Sequence, residues 1–374
     1  MQINASFQGG SFLPVLTRQS HVQSQNQSKI LAQKPIQLLP YQGIHTVRFA
    51  GIPQRQFKLM SYNFENFFPS VNSAKFISQQ RTPVKKPESV QALADVILKE
   101  QPDIVAVQEA EHGNALAEFA KTYLKGQYEG FCAEQANDPR NICTGFLYKK
   151  GLDLVSKRTF NVNGPQGAPL LTRNVAEATF RVTTPDGCGQ ELTVMSAHFK
   201  AMVGGEEKTH PKRMQEAKTI VNRVQAMILE NPSRHVVLMG DLNFKVTSRQ
   251  GQEVFSELSK VTQSNGQPGW FEAFSPDFPP THQFKGEGNK LDYIFLTKGL
   301  FQDQVQAKVS GNFTQDPWRK ASDHLPPSSE IKARCEHQVW GNEGAQSSAP
   351  GQPISPPVKA KKPKKPKPKL DFVA

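Results

Sequence analysis

Long apolar runs are missing from this sequence. No stretch reaches the roughly 18 consecutive apolar residues that a membrane-spanning helix needs. Met1–Ser20 also lacks the basic start and apolar core of a secretory signal peptide. We therefore expect no stable membrane insertion and a cytoplasmic location. Only 37% of the residues are hydrophobic, which is low for one compact domain of 374 residues, so part of the chain is expected to be unfolded.

Cysteine is scarce as well, and its spacing excludes the common zinc motifs. The four cysteines are Cys132, Cys143, Cys188 and Cys335, and none forms a C-x-x-C pair. Cys132 and Cys143 could form a disulfide in an oxidising compartment, and two free buried thiols are an equal alternative.

The two ends of the chain lack the hydrophobic periodicity of a folded domain. Residues 1–55 are rich in Gln, Ser and Asn, and residues 336–374 are dominated by Gly, Ser, Pro and Lys. Such compositions bury too little apolar surface to offset the entropy of ordering. We predict disorder at both ends and one catalytic domain over residues 56–335, which we assume to be monomeric.

One lysine run supplies more than half of the net positive charge. The formal net charge is +12, and Lys359–Lys369 contains seven lysines and no acid. The body of the protein is therefore only mildly basic. The run has three interpretations: a solubilising tail, a tether to a polyanion such as nucleic acid, or a contact with an anionic membrane.

Predicted strands and helices alternate between these ends. The apolar spacing predicts helices over Glu88–Lys99 and Pro211–Leu229, with Pro211 in the first turn of the second helix. Apolar runs predict strands over Phe57–Tyr62, Asp103–Val107, Thr144–Tyr148, Val175–Val182, Glu191–Ala197, His235–Gly240 and Leu291–Leu296, followed by a last segment over Ser322–Ile331.

Polar side chains recur where these apolar runs end, which is where α/β proteins place catalytic groups. Six short motifs show this pattern: Ser61-Tyr62-Asn63, Val107-Gln108-Glu109, Ser196-Ala197-His198-Phe199-Lys200, Gly240-Asp241-Leu242-Asn243, Leu291-Asp292-Tyr293-Ile294 and Ser322-Asp323-His324-Leu325-Pro326. Charged groups beside apolar strands are costly unless they are paired or bound to a metal. Several of them together predict a site.

The acids and amides in these motifs suit a hard cation. Carboxylate and amide oxygens are the donors that Mg²⁺ and Mn²⁺ prefer, and such a cation neutralises phosphoryl oxygens. Glu109 and Asp323 are the predicted metal ligands, and Asn63 is a neutral oxygen ligand.

The remaining site residues supply proton transfer and phosphate binding. His324 is the predicted general base, because its ordinary pKa lies near neutrality, and Asp292 is the carboxylate that orients it. Asp241 and Asn243 are expected to orient the attacking water or a second metal. Phosphate contacts are assigned to His198, Lys200, Arg173 and, on weaker grounds, Arg140. The other histidines, including His282, show no ligand spacing and receive no role; Trp270 and Trp318 are expected to pack.

In these motifs the sequence resembles the endonuclease/exonuclease/phosphatase superfamily, which contains deoxyribonuclease I. Each motif alone is weak, but all of them occur in the family's order over about residues 57–331. The resemblance implies an α/β fold, a four-layer αββα sandwich of two mixed sheets flanked by helices. It also implies metal dependence and in-line attack of water on phosphorus.

One position departs from the family pattern. Many members place an acid near the strand equivalent to Thr144–Tyr148, where it supports the first histidine. This chain has no acid at that spot. We expect either that Asp138 substitutes for it or that His198 has no carboxylate partner.

The resulting expectation is a Mg²⁺-dependent phosphodiesterase, an endonuclease for DNA or RNA. One rival uses the same site as a phosphoinositide phosphatase or a sphingomyelinase-type lipid phosphodiesterase. The loops Ala201–His210 and Gln263–Gly288 would decide between them. A second rival is a non-catalytic binding protein with the same fold, but such a protein would have lost some of the acids and His324.

Overall fold

The structure, a computed structural model, describes residues 55–69, 83–134, 138–183, 189–275 and 277–334. Nearly all of both segments predicted to be disordered, and the whole lysine run, lie outside these residues. Cys188 and Cys335 also lie outside them. In the described part of the chain, no helix is both long and apolar enough to cross a membrane.

Two six-stranded sheets form the centre of the domain. The first sheet has the order β13-β14-β1-β2-β4-β3, and the second has the order β5-β6-β7-β8-β12-β9. The strands of the first sheet are β1 (Gln56–Phe67), β2 (Ile104–Glu111), β3 (Tyr128–Cys132), β4 (Ile142–Lys149), β13 (Gln304–Val309) and β14 (Pro327–Lys332). Those of the second are β5 (Asp153–Phe160), β6 (Val175–Thr183), β7 (Gly189–His198), β8 (His235–Asp241), β9 (Trp270–Glu272) and β12 (Asp292–Thr297).

A hairpin and six helices complete the described elements. The hairpin pairs β10 (His282–Phe284) with β11 (Glu287–Asn289). The helices are α1 (Pro87–Glu100), α2 (Ala115–Tyr123), α3 (Glu206–Glu230), α4 (Arg249–Leu258), α5 (Lys298–Gln302) and α6 (Trp318–Ala321).

Three separate apolar clusters show that the layers stack in the order helix, sheet, sheet, helix. One cluster joins the outer face of the first sheet to α1, α2 and α6, and another joins the second sheet to α3 and α4. The third lies between the sheets. The predicted αββα sandwich of mixed sheets is confirmed. Trp270 and Trp318 are buried and pack in the two outer clusters.

Strand alternation explains how this sandwich can hold polar groups at one end. Phe57 and Leu59 of β1 belong to the cluster between the sheets, so Ser61 and Asn63 continue the same face. In β8, Val237 and Met239 lie in that cluster, and Asp241 follows them in the same alternation. Each strand therefore begins as apolar core and ends with a polar side chain between the sheets.

Gln108 bridges the two sheets just below this polar end. Its Oε1 accepts a bond from the hydroxyl of Ser61 (3.4 Å), and its Nε2 donates to the hydroxyl of Ser196 in the opposite sheet (3.2 Å). The Ser196 hydroxyl donates in turn to the carbonyl of Val107 (3.0 Å). These bonds satisfy buried polar groups where apolar packing ends.

The prediction that α3 begins at Pro211 is wrong, because the helix begins at Glu206 and contains the proline. Pro211 cannot donate a backbone bond to the preceding turn. Side-chain bonds also stabilise the part of the helix before the proline: the hydroxyl of Thr209 donates to the carbonyl of Gly205 (2.8 Å), and Arg213 donates to that of Glu206 (2.8 Å).

Cys132 and Cys143 are free thiols in the structure. They lie on the neighbouring strands β3 and β4, and both sulfur atoms approach the carbonyl of Glu111, at 3.3 Å and 3.7 Å. Of the two alternatives, the structure therefore shows the thiol pair.

Glu100 is expected to make stability depend on acid pH. Its carboxylate binds Lys58 (2.8 Å) and Lys308 (2.9 Å), linking α1 to β1 and β13. Burial opposes ionisation, but hydrogen bonds from the two lysines outweigh it and lower the pKa of Glu100 from 4.5 to about 2. This contribution is therefore complete above pH 4.5 and disappears as the pH falls towards 2.

Glu100→Gln should lower the free energy of unfolding by about 2 kcal/mol at neutral pH and by much less near pH 2. Urea unfolding at a series of pH values measures this difference. The exposed Glu230 provides a matched control, since Glu230→Gln should change stability little. A Glu100→Gln deficit that does not shrink in acid would contradict the assignment.

Candidate active site

Strand register brings the predicted residues to one edge of the sandwich. The pairing of β7 with β8 sets His198 beside Asp241, and the pairing of β8 with β12 sets Asp241 beside Asp292. Cross-strand partners share one face of a sheet, so these three side chains form a row. Asn63, on the opposite sheet, donates from Nδ2 to Asp241 Oδ2 (3.0 Å). This bond connects the two sheets directly at the site.

His324 and Asp292 form a buried histidine–carboxylate pair. Asp292 Oδ2 lies 2.7 Å from His324 Nδ1. The other ring nitrogen, Nε2, faces the site at 3.8 Å from Asp241 and 3.9 Å from Asp323. An acceptor on Nδ1 favours the tautomer that leaves Nε2 free to accept a proton. The geometry is that of an imidazole oriented for proton transfer.

The charge around His324 favours its protonated form. Burial alone would lower the pKa of His324, but the carboxylates of Asp292, Asp241 and Asp323 outweigh burial and raise it to about 10. The site therefore stabilises the imidazolium that results when His324 takes a proton.

His198 occupies the opposite side of Asp241 and is neutral by contrast. Its Nε2 lies 3.5 Å from Asp241 and 3.8 Å from Glu109. Burial, followed by the positive charges of Arg173 and Arg140, holds the pKa of His198 well below its usual range. A neutral imidazole can donate or accept a hydrogen bond at the site without adding charge.

Asp138 does not take the place of the missing acid beside His198. Its carboxylate instead binds two arginines. Nε and Nη2 of Arg173 both lie 2.9 Å from Oδ2, and Nε of Arg140 lies 3.2 Å from Oδ1. Burial opposes ionisation, but these two arginines hold the pKa of Asp138 below its usual range. The expectation that Asp138 supports His198 is therefore wrong: Asp138 binds these two arginines, and the carboxylates that approach His198 are those of Asp241 and Glu109.

Glu109 is held in a strained backbone conformation at the end of β2. Its φ is +59°, and the ladder between β2 and β4 breaks register between Val107 and Ala110. Its Oε2 accepts the backbone N–H of Asn66 (2.8 Å), and its Oε1 lies 3.6 Å from Arg140. A bulge that re-aims a side chain is common beside active sites. The side chain is 13% exposed, so one oxygen can reach a ligand.

Asp323 is the most accessible acid of the group, with 41% of its side chain exposed. Its Oδ2 lies 3.7 Å from His282 Nε2. Burial would raise the pKa of Asp323, but the neighbouring His282, His324 and Lys85 hold it below its usual range. His282 also forms an isolated backbone bridge with His324. His282 received no role from the sequence, because nothing in its spacing connects it with Asp323 and His324, which lie 41 and 42 positions further along the chain.

The two asparagines hold Asp241 rather than standing free. Asn63 donates to Asp241, and its own Oδ1 accepts the backbone N–H of Glu65 (2.9 Å). Asn243 donates its backbone N–H to Asp241 Oδ1 (3.0 Å). The amide oxygen of Asn63 that was predicted as a metal ligand thus accepts a hydrogen bond from the backbone, and the amide nitrogen of the same side chain orients Asp241.

The site contains more negative charge than its cations balance. Burial and the neighbouring charges of Asp292 and Glu109 outweigh the attraction of His324 and raise the pKa of Asp241 to about 7. Such an excess of carboxylate is costly unless a cation is present. Of the four acids, Asp323 at 41% and Glu109 at 13% are the ones whose side chains solvent reaches most. His282, Asp323 and His324 also offer three ligand atoms within 4.8 Å of one another.

Comparison with known families agrees with this geometry. A model described as the endonuclease/exonuclease/phosphatase family matches residues 58–322, which is more than half of the chain. The chain belongs to this family. Members of the family hydrolyse phosphate esters, and they generally depend on a divalent metal.

Solved structures show the same fold at low sequence identity. The chain is similar to an endonuclease/exonuclease/phosphatase from Bacteroides vulgatus at 15% identity and a TM-score of 0.51, covering 75% of this chain and 100% of that one. It is also similar to TDP2 from Caenorhabditis elegans at 16% identity and a TM-score of 0.50, covering 75% of each chain. No curated protein sequence matches significantly.

Arg173 is not placed for phosphate contact in this family member. It is only 5% exposed; its Nε and Nη2 bind Asp138, and its Nη1 donates to the carbonyl of Phe199 (2.8 Å). The prediction is corrected accordingly: the guanidinium holds the loop after β7 against the loop that carries Asp138. A buried acid selects a buried arginine as its partner.

Arg140 lies at the rim of the site, and Lys200 lies in the loop that follows β7. Arg140, 29% exposed, donates to Asn66 Oδ1 (2.8 Å) and lies beside Glu109. Lys200 is partly exposed, and its backbone N–H donates to the buried carboxylate of Glu216 (2.7 Å). Glu216 was not anticipated from the sequence, where it is one acid among others on a helix. It holds the Lys200 loop from the side of α3.

Arg173→Met should destabilise the fold, because it removes one partner of the buried Asp138 carboxylate. We expect the free energy of unfolding to fall by about 3 kcal/mol, and Arg173→Met with Asp138→Leu to recover part of that loss. The exposed Arg181, which also binds acids, is the matched control, and Arg181→Met should have little effect. Urea unfolding measures all three. Unchanged stability in Arg173→Met would return this arginine to the candidates for phosphate binding.

Proposed function

We propose that this protein is a divalent-metal-dependent phosphodiesterase that hydrolyses DNA or RNA by attack of water on phosphorus. The single observation that carries the proposal is the Asp292–His324 pair, at 2.7 Å, whose free Nε2 faces Asp241 and Asp323 at the edge where Glu109 also lies. A base, its orienting acid and carboxylates that can bind a cation are what such a reaction requires.

His324 acts as the general base in this scheme. Its Nε2 takes a proton from water as the water oxygen bonds to phosphorus and the bond to the leaving oxygen breaks. Asp292 stabilises the imidazolium through Nδ1–H. Before that step the imidazole must be neutral. A divalent cation bound by Glu109 and Asp323 would lower the pKa of His324 and so favour the neutral form.

Phosphate binding falls to the residues that surround Asp241. His198, as a neutral donor, and Arg140, as a cation at the rim, are suited to the phosphoryl oxygens, with Lys200 as a further candidate. A divalent cation, Mg²⁺ or Mn²⁺, would be held by Glu109 and Asp323 and would neutralise charge that develops on those oxygens. Asp241, fixed by Asn63 and Asn243, would orient the attacking water.

Nucleic acid is the substrate class that the charge of the chain supports. The pI is about 9.4, and the lysine run Lys359–Lys369 can contact phosphates outside the site without reading sequence. A cytoplasmic location and a monomeric state remain predictions from the sequence.

The activity test is incubation of the purified protein with supercoiled DNA, RNA, inositol phosphates and sphingomyelin, each with Mg²⁺ or with excess chelator. We expect cleavage of nucleic acid that requires Mg²⁺. His324→Gln should reduce the rate by at least about 10²-fold, because it removes the base. His210, a histidine on α3 that binds Glu253, is the control, and His210→Gln should retain the rate.

Two results would count against this function. Turnover that persists in chelator would remove the cation from the mechanism, and full activity of His324→Gln would remove the base. Turnover of sphingomyelin or inositol phosphate alone would keep the chemistry and change the substrate class.

Deleting Lys359–Lys369 should weaken binding to nucleic acid and reduce its salt dependence, with the chemical step unchanged. The reason is that each phosphate contact releases counterions, so fewer lysines give a shallower slope of log affinity against log salt. Fluorescence anisotropy with a labelled oligonucleotide at several salt concentrations measures the slope. Replacing the seven lysines by glutamine is a control that keeps the length of the tail. An identical slope in the deleted protein would refute the tether.

A further inference from the structure

The β10–β11 hairpin carries an exposed aromatic side chain next to the active site. Phe284, on this hairpin, is 60% exposed. The other large hydrophobic side chains that are exposed in the described ranges are all aliphatic: Val84, Val155, Val203, Leu229 and Val305. We propose that Phe284 is a stacking platform for a nucleobase of the substrate, with Lys285 beside it for a neighbouring phosphate. This inference rests on the proposed function and narrows its substrate to one that carries planar bases.

The hairpin is joined to the catalytic residues by backbone bonds. Thr281, directly before β10, accepts the N–H of Asp292 on its hydroxyl (3.0 Å) and the N–H of Leu325 on its carbonyl (2.6 Å). Gln283 donates its N–H to the carbonyl of Asp323 (3.1 Å). The hairpin therefore shares its anchor points with the general base pair, so its position relative to the reacting phosphate is defined.

A row of three rings extends from His324, the proposed general base, along this hairpin to solvent. The ring of His282 lies 4.6 Å from that of His324, and the ring of Phe284 lies 6.5 Å from that of His282 with an angle of 15° between the planes. His282 and Phe284 are two residues apart on a strand and share a face. Phe284 is thus the outer ring of this row, and His324, the proposed general base, is the inner one.

The turn of the hairpin places a cation beside the aromatic ring. Lys285 and Gly286 both have positive φ, +51° and +85°, as a tight two-residue hairpin turn requires. Lys285 Nζ lies 5.3 Å from the centre of the Phe284 ring. An aromatic face for a base and an ammonium for its phosphate are the two elements that bind single-stranded nucleic acid.

The composition of the hairpin favours a base over a lipid surface. Phe284 is flanked by Gln283 and Lys285, and Glu287 begins the return strand, so one ring stands among polar groups. A membrane-binding element needs a larger apolar area. Trp270 and Trp318, the aromatic residues that could also have stacked on bases, are buried in the outer clusters.

The test compares two labelled single-stranded oligomers of equal length and charge, one of thymidines and one of abasic tetrahydrofuran units. Binding is measured by fluorescence anisotropy with excess chelator, which keeps metal-dependent cleavage out of the measurement. We expect Phe284→Ala to weaken binding of the thymidine oligomer about tenfold and to leave the abasic oligomer unchanged. Phe284→Trp should restore thymidine binding. Leu229→Ala removes an exposed side chain on α3 and is the control for truncation itself.

The outcomes separate this inference from the proposed function. Equal losses on both oligomers, or no loss on either, would overturn the stacking role even if the enzyme cleaves DNA. A loss confined to the thymidine oligomer would support it even if no cleavage were found. Phosphatidylserine vesicles form a third arm: vesicle binding that depends on Phe284, without any difference between the oligomers, would assign the hairpin to a membrane and overturn the proposal.

Discussion

Several carboxylates are buried between the two sheets, and the structure around them must offset the cost of burying their charge. Asp241 and Asp292 lie side by side at 3% exposure or less, with Glu109 and His324 in reach. Such a cluster is costly in a protein interior, and here the cost is offset by specific partners. Asp292 is paired with the imidazole, and Asp241 is held by Asn63 and by the backbone of Asn243. The remaining excess charge makes the site suited to a cation, and it also raises the pKa of His324.

The surrounding backbone adopts conformations that regular strands do not have. Asn66, Glu109 and Asn243 all have positive φ, between +49° and +59°, and all lie at or just after the ends of strands that reach the site. Such residues persist only where neighbouring contacts enforce them. The bond from the Asn66 N–H to Glu109 is one such contact, and the tight approach at Gly240 is another, since a Cβ there would lie 2.0 Å from the carbonyl oxygen of Ala197. Packing thus fixes the directions in which the site residues point.

A second set of buried charges holds the loops around the site through contacts with other protein groups. Arg173 joins Asp138 to the carbonyl of Phe199, and Glu216 receives the backbone N–H groups of Thr172 and Lys200. These residues are ionic, as substrate-binding residues often are, but their partners are other protein groups. Arg140 and Arg173 bind the same carboxylate but differ in exposure: Arg173 is 5% exposed and also binds the carbonyl of Phe199, whereas Arg140 is 29% exposed.

Apolar periodicity and the position of polar groups after apolar runs are local properties of the chain, and they were sufficient to predict the main strands, two helices and most of the residues that meet at the edge of the sandwich. The αββα class was predicted from the resemblance of the motifs to a known family. Local patterns did not predict β3, β5, α2 or α4, and Pro211 obscured the start of α3. The pairing of acids with their partners depends on the tertiary structure. Asp138 binds two arginines, Asn63 binds Asp241, and His282 lies beside Asp323, because distance and burial determine the partners of residues that are far apart in the chain. Neither composition nor spacing contains that information.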